Sequence, residues 1–319
     1  MKKKMLFVYN PNAGKGKIKT RLSDIVEIFV KADYEVTIYA TRGKQDATRI
    51  VKNSAKEYDL IVCSGGDGTL NEVTAGVMTL EKRPEIGYLP AGTTNDFAAS
   101  HKIPKNILRA AEVAVNGEPY YYDVGSVNDE FFAYVAAFGA FTEVSYETPQ
   151  TIKNTLGRVA YLLEGMKRLP SLKSYKMIVK YDDKVIEEEF IFGMITNSSS
   201  VGGFKGFIGK EILLDDGLFE ICLIKVPKNP IELQAIINTL ITKDTSTNLI
   251  YSFRTNRMSI EAKEEVPWTL DGEFGGNFSQ VDIKIYKQAI AYRIEPKKAL
   301  ISTKNTEVKA ALIDNKMKM

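Results

Sequence analysis

Histidine is nearly missing: His101 is the single imidazole among 319 residues, which removes histidine-based catalysis and histidine-rich metal sites as themes. His101 itself, next to Lys102, reads as structural or exposed. Cysteine is almost as scarce. Cys63 and Cys222 both fall inside apolar runs that read as strands, so a disulfide framework is excluded and core thiols in a reducing compartment are expected. No stretch of about 18 apolar residues runs unbroken, so no membrane-spanning helix is expected. The opening "MKKKMLFVYNPN" is basic, but its apolar stretch ends at Asn10, short of the roughly 7 to 15 apolar residues of a signal peptide. Net charge is also small: 43 Lys and Arg against 40 Asp and Glu leave +3, too little to argue for nucleic acid. These absences together imply a cytoplasmic protein that would meet lipid only at a surface.

What is present fits an ordinary globular chain, 44% apolar and 26% charged, long enough for two domains at about 100 to 200 residues each. Up to residue 124 strand and helix signals alternate: "KMLFVYN", a 3.6-periodic stretch through Leu22, Ile25, Val26 and Phe29, "YEVTIYAT", a helix from Asp46 to Lys56, "YDLIVCS", a helix from Asn71 to Met78, and "EIGYLP". Such βαβ alternation predicts an α/β, doubly wound, Rossmann-like domain whose ligand lies beyond the carboxyl ends of the strands. From 125 to 290 the pattern changes to strand-like runs such as "YKMIVKY", "GLFEICLIK" and "VDIKIY". These predict an all-β half, an antiparallel β-sandwich. Helical inserts interrupt it near 151–169 and from Pro230 to Thr242. Residues 291–319 are expected to pack back on the first domain and end in a mobile tail.

Three glycine-bearing polar loops end predicted strands at the same sheet edge. "CSGGDGTLNEV" runs from a strand through Gly65, Gly66, Asp67 and Gly68 into a helix expected to begin near Leu70. Glycines let backbone amides approach an anion, and a helix N-terminus adds partial positive charge. "VYNPNAGKGK" supplies a second lip at residues 8 to 17, and "LPAGTTNDFAAS" a third at 89 to 100. The second loop lacks the order and spacing of a P-loop, and the dinucleotide G-x-G-x-x-G signature is missing. Asp67 would repel a phosphate directly, so its role is to organise Mg2+ between itself and the phosphates. In "TLDGEFGG", Asp271 and Glu273 flank Gly272 and would point the same way from an extended segment.

"GGDGTLNEV" and "PAGTTNDFA" resemble the nucleotide-binding blocks of the diacylglycerol kinase catalytic-domain family, and "YYDVG", "LLDDGLFEI" and "TLDGEFGG" match further blocks in order. The resemblance spans residues 5 to about 295. With "VSYETP" at 144 to 149, it is closest to the soluble Gram-positive diacylglycerol kinases. It implies ATP-dependent, Mg2+-assisted phosphorylation of diacylglycerol or a related lipid alcohol. It also implies that Asn10, Pro11, Asn12, Ala13, Gly14, Thr41, Gly66, Asp67, Gly68, Thr69, Leu70, Asn71, Glu72 and Thr93 surround the nucleotide. Glu273 would be the general base, with Asp271 beside it. The side chain of Asp216 and the carbonyls of Leu213 and Leu218 would hold a structural Mg2+, and Asp123 would join Asp67 and Asp216 through water in one acidic network. Ala99 departs from the arginine that follows "NDFA" in many relatives, and "HKIP" replaces a common "LGIP"-like stretch.

Basic residues cluster at Lys2 to Lys4, at Lys15, Lys17, Lys19 and Arg21, and at Lys167, Arg168, Lys173 and Lys176. Each can contribute about 1 kcal/mol near an anionic leaflet, so Lys15 and the segment bearing Lys167 are the candidate membrane contacts of a peripheral enzyme. A homodimer is left open. Two alternatives remain: a kinase of a soluble metabolite resembling NAD kinase, which shares "GGDGT", and a nucleotide-binding regulator without turnover. Intact Asp67, Asp271 and Glu273 argue against the regulator.

Overall fold

The computed structural model describes residues 2–93, 95–139, 173–198, 200–201, 204–205, 213–242 and 247–296. Four parallel strands form one end of the sheet: β1 (Lys3–Tyr9), β2 (Tyr34–Ala40), β3 (Leu60–Gly65) and β4 (Glu85–Pro90), in the spatial order β2-β1-β3-β4. Strand β3 is buried along its whole length. This is what the unbroken run "LIVCSG" requires of a parallel strand covered on both faces. The intervening helices are α1 (Leu22–Lys31), α2 (Asp46–Ser54), α3 (Asp67–Met78), α4 (Asp96–Ser100) and α5 (Ile107–Asn116). They enclose a core that includes Phe7, Phe29, Val62, Leu70 and Tyr88.

Then the strands become antiparallel. They are β5 (Glu118–Val127), β6 (Glu130–Phe132), β7 (Val135–Gly139), β8 (Tyr175–Tyr181), β9 (Lys184–Thr196), the short pair β10 (Ser200–Val201) and β11 (Phe204–Lys205), β12 (Phe219–Lys225), β13 (Ile250–Thr255), β14 (Arg257–Leu270) and β15 (Glu273–Ile294). In β8 the residues alternate between buried and solvated faces, the pattern of a one-sided antiparallel strand. A second core gathers Phe132, Phe138, Phe190, Phe219 and Trp268. Helix α6 (Pro230–Thr242) has the expected bounds and covers a third cluster through Ile236.

The fold is thus mixed α/β and rich in strands. Among the described residues the main ladder is continuous, because β15 belongs to both halves. It pairs antiparallel with β14 and β5, then reaches β4 in parallel register at Tyr292 and Ile86. The Tyr292 hydroxyl shares a 2.7 Å hydrogen bond with Thr74 Oγ1 on α3. Strand β5 crosses the boundary expected at 124, and β15 crosses the one expected at 290. Described residues of the final segment are strand as far as Ile294; those beyond Pro296 lie outside the description, as do the insert expected at 151–169 and "VSYETP".

One boundary needs correction. Helix α3 begins at Asp67, not near Leu70. Glycines argue for a loop, yet the first helical turn needs no bulky residue: Gly66 is the extended residue before the helix and Gly68 already belongs to it. Among the described residues, no helix is long and apolar enough to cross a membrane.

Candidate active site

The three glycine-bearing loops meet at the carboxyl ends of β1, β3 and β4. Asn10 N donates to Ser64 O at 2.8 Å, and its own side chain accepts from Asn12 N at 2.9 Å. That turn leads through Pro11 and Ala13 to Gly14, whose φ is +56°. A Cβ on Gly14 would stand 2.1 Å from the Ala91 carbonyl oxygen, so the first and third loops touch backbone to backbone. The same is true of the second and third. Ala91 N and Gly92 N both donate to Gly65 O, and a Cβ on Gly92 would lie 2.5 Å from Gly66 Cα. Asn95, left-handed at φ +52°, ties off the third loop by accepting from Gly92 N and donating to Gly92 O. Thr93 lies exposed on that loop. Thr41 completes the rim, its amide donating to Tyr9 O at 2.9 Å.

Helix α3 opens into this cradle. Thr69 N and Leu70 N donate to Gly66 O, and no side chain caps the first turn. The amides of Asp67 and Gly68 are therefore placed at the positive end of a three-turn helix, the arrangement that holds anions elsewhere. One turn further along, Asn71 Oδ1 is a buried oxygen with no hydrogen-bond partner. Glu72 turns elsewhere: its carboxylate accepts from Gln45 N and Ala47 N at 2.8 and 3.1 Å, so it clamps the loop before α2 instead of facing the cradle.

The "LDGE" segment differs from the expectation that Asp271 and Glu273 share a direction. Asp271 (φ +50°) and Gly272 (φ +85°) are the two central residues of a tight hairpin turn, with Leu270 paired to Glu273. Two positive φ angles at an Asp-Gly pair are what a two-residue β-hairpin demands. The chain reverses there, so the two acids separate. Asp271 points inward, 4% exposed, and accepts three backbone bonds, from Ala133 N at 2.6 Å and from Tyr134 N and Val135 N at 2.9 Å. Burial nevertheless pushes its carboxyl up to about 7, with the three amides pulling the other way. Glu273 is exposed at the turn, as is Phe274, the next residue of the strand. It reaches across to the first half: Glu273 Oε1 lies 3.9 Å from where a Cβ on Gly68 would stand, and Oε2 is 3.2 Å from Lys44 Nζ.

A second acidic cluster lies away from the cradle, where β5 meets the loop at 213–218. Asp123 is fully buried; its two oxygens accept from Gly217 N and Gln288 N, both at 2.6 Å. Burial raises its pKa, and the charges of Asp216 and Asp215 raise it further. Asp216 accepts from Leu218 N at 3.0 Å and pairs with the Arg254 guanidinium. Arg254 also binds Glu220, whose carboxyl burial pushes up to about 7. Asp123 and Asp216 therefore come together, whereas Asp67 lies at the cradle as an electrostatic neighbour of Tyr88 and Asp271. Leu213 is exposed at the start of the loop.

His101 is half-buried, its ring stacked on Phe97 at a 4.1 Å centroid distance, and burial of the ring lowers its pKa to about 4. It packs as a neutral ring. The Lys15 side chain and all of Lys167 fall outside the described residues. Lys44 and the clamping role of Glu72 were not legible in the sequence, because their partners are distant along the chain and no local motif marks them.

Comparison with known proteins bears on this geometry. Residues 4–127 match the diacylglycerol kinase catalytic domain. A diacylglycerol kinase of Bacillus subtilis (strain 168) is 35% identical over 287 residues, covering 89% of this chain and 94% of the relative. One from Staphylococcus carnosus (strain TM300) is 34% identical over 312 residues, 97% and 99% of the two chains. A crystal structure of a diacylglycerol kinase from Bacillus anthracis str. Sterne covers 92% of this chain and 98% of its own, with a TM-score of 0.71 at 26% identity. A second crystal structure from that organism reaches 0.77 at 29% identity, with 92% and 96% covered.

Proposed function

Because this chain belongs to the diacylglycerol kinase family and is a lipid kinase, we propose that it phosphorylates diacylglycerol to phosphatidic acid with ATP, Glu273 acting as general base. The observation that carries this reading is the juxtaposition of Glu273 with the first turn of α3. Phosphoryl transfer asks a protein mainly for position and electrostatics. The cradle amides at Asp67 and Gly68 would face the phosphates, with the loops at 10–14, 41 and 93 around the rest of the nucleotide. The lipid hydroxyl oxygen bonds to the γ-phosphorus as the bond to the β,γ-bridging oxygen breaks. Glu273 takes the hydroxyl proton, and ADP leaves. Asp271 keeps the hairpin folded by binding three amides, so the base is presented by a rigid turn.

Mg2+ fits the cradle chemically: the buried Asn71 Oδ1 and the Asp67 carboxylate are oxygen ligands one turn apart on α3, and this ion prefers oxygen. When bound it would neutralise phosphate charge. A structural Mg2+ held by Asp216 and the carbonyls of Leu213 and Leu218 is the finer expectation from the family. Such an ion would share Asp216 with Arg254. Residues 1–124 would serve as the Rossmann-like nucleotide half and 125–290 as the β-sandwich lipid half. The acceptor's apolar body would be reached at an anionic membrane surface.

The test supplies labelled ATP with diacylglycerol micelles, sphingosine micelles or NAD in parallel. Transfer to diacylglycerol is expected; transfer to NAD alone sinks the lipid reading. In a folded Glu273→Ala protein the rate should fall by about 100- to 10,000-fold, the range for a positioned base. A loss below about tenfold would remove Glu273 from that role.

A further inference from the structure

We infer that Lys44 is a positioning residue for Glu273, holding the carboxylate over the first turn of α3 and offsetting its repulsion from the phosphate charge that develops during transfer. The inference rests on the reading of Glu273 as base. The pair spans 229 positions of sequence and joins the loop after β2 to the hairpin between β14 and β15, with Lys44 Nζ 3.2 Å from Glu273 Oε2. Taken alone, an exposed ion pair of this kind adds little to stability. Its two ends, however, are both built rather than loose.

On the lysine side, the backbone is pinned before and after residue 44. Thr41 N donates to Tyr9 O, Arg42 N to Asp46 Oδ2 and Asp46 N to Gly43 O. Gln45 takes a left-handed φ of +65° while its amide donates to Glu72 Oε1, Ala47 N donates to Glu72 Oε2, and the Thr48 hydroxyl donates to the Glu72 carbonyl. Glu72 belongs to α3, so the helix whose first turn faces the phosphates also fixes the loop that carries Lys44. On the carboxylate side, the turn is held by the three amides on Asp271 and by Asp271 N donating to Val135 O at 2.8 Å. Lys44 thus closes a circuit from α3 through Glu72 to the loop, across to Glu273 and back to Gly68.

Charge gives this circuit a task. Glu273 must stay anionic to accept a proton, yet it stands where phosphate charge accumulates. The Lys44 ammonium, 3.2 Å from Oε2, reduces that repulsion while Oε1, the oxygen nearer Gly68, is left for the acceptor.

The experiment measures kcat and the ATP KM of the full chain for wild type, Lys44→Ala, Lys44→Arg, Glu273→Ala and the Lys44→Ala/Glu273→Ala pair. Lys44→Ala should lower kcat by about 10- to 100-fold, as a misplaced reacting group does, with the ATP KM changed less than about twofold, and Lys44→Arg should recover most of the loss. In the Glu273→Ala background, Lys44→Ala should cost nothing further. Unchanged kcat in Lys44→Ala, a raised ATP KM with normal kcat, or a further tenfold loss in the double variant overturns the inference. The two readings fail separately. If wild type phosphorylates a different alcohol, the lipid proposal falls and the same cycle on that alcohol still judges Lys44; if Glu273→Ala keeps normal activity, the base assignment and this inference fall together.

Discussion

Replacing Asp271 with Asn isolates what the buried carboxylate does for the hairpin that carries Glu273, because Asn tolerates the left-handed φ of +50° as well as Asp does. In the native turn Oδ1 accepts from Tyr134 N and Val135 N, and Oδ2 accepts from Ala133 N at 2.6 Å. The Asn carbonyl oxygen can keep the first two bonds. Its NH2 must then face the Ala133 N–H, donor against donor, in a site with almost no access to water. One buried amide left unsatisfied costs about 1 to 3 kcal/mol, and the charge-assisted character of the two remaining bonds is also lost. At pH 8 Asn also relieves the cost of burying a charge, the cost that pushes the Asp271 carboxyl up to about 7, so a net loss of about 1 kcal/mol is expected there. Urea unfolding followed by fluorescence is suited to the measurement, since the single tryptophan, Trp268, is buried in the same hairpin. Activity should fall with stability, because a shift of about 1 Å at a reacting group can cost 100-fold. A variant within about 0.5 kcal/mol of wild type, below the cost of one orphaned amide, and with unchanged turnover would refute the claim that these three bonds aim Glu273.

Two further outcomes follow from the geometry. Gly92→Ala sets a methyl 2.5 Å from Gly66 Cα and 2.8 Å from Asn95 Oδ1; it should destabilise the fold by about 1 to 3 kcal/mol and abolish the thermal shift on adding ATP, and a normal ATP shift would show that the crossing of these loops does not shape the nucleotide site. Glu220, raised by burial to about 7 from 4.5, holds a proton in the folded state that the unfolded chain releases, so its contribution to stability is full below about pH 4.5 and lost as pH rises to about 7. The Tm of wild type relative to Glu220→Gln should accordingly decline across that window; a flat or rising difference would contradict the sign.

Much of the fold could be read from local pattern. "EIGYLP" is β4 and "LIVCSG" is β3 because unbroken apolar runs of that length suit strands covered on both faces, and the helix from Pro230 to Thr242 has its first turn opened by proline. That the three glycine loops share one sheet edge was legible because each follows a strand. What escaped depends on contacts between distant segments. "DGE" looks extended in isolation, and only the amides of residues 133 to 135 explain why Asp271 turns inward and parts from Glu273. Glu72 reads as part of a nucleotide motif, yet its carboxylate is committed to Gln45 and Ala47. The early start of α3 escaped for a local reason: a first turn made of glycine and aspartate carries no apolar periodicity.

The course of β15 also sets the order in which the protein can be completed during synthesis. Every loop of the glycine cradle is contained in the part of the chain that leaves the ribosome first. The outer edge of β4 is nevertheless covered only when Tyr292 pairs with Ile86, and Thr74 on α3 waits for the same tyrosine. At synthesis rates of about 5 to 20 residues per second, that interval lasts roughly 10 to 40 s. During it the nascent first half carries an open parallel edge, the feature through which unfinished sheets pair with the wrong chain. A slow step in making the first half functional is therefore the arrival of a strand from the second.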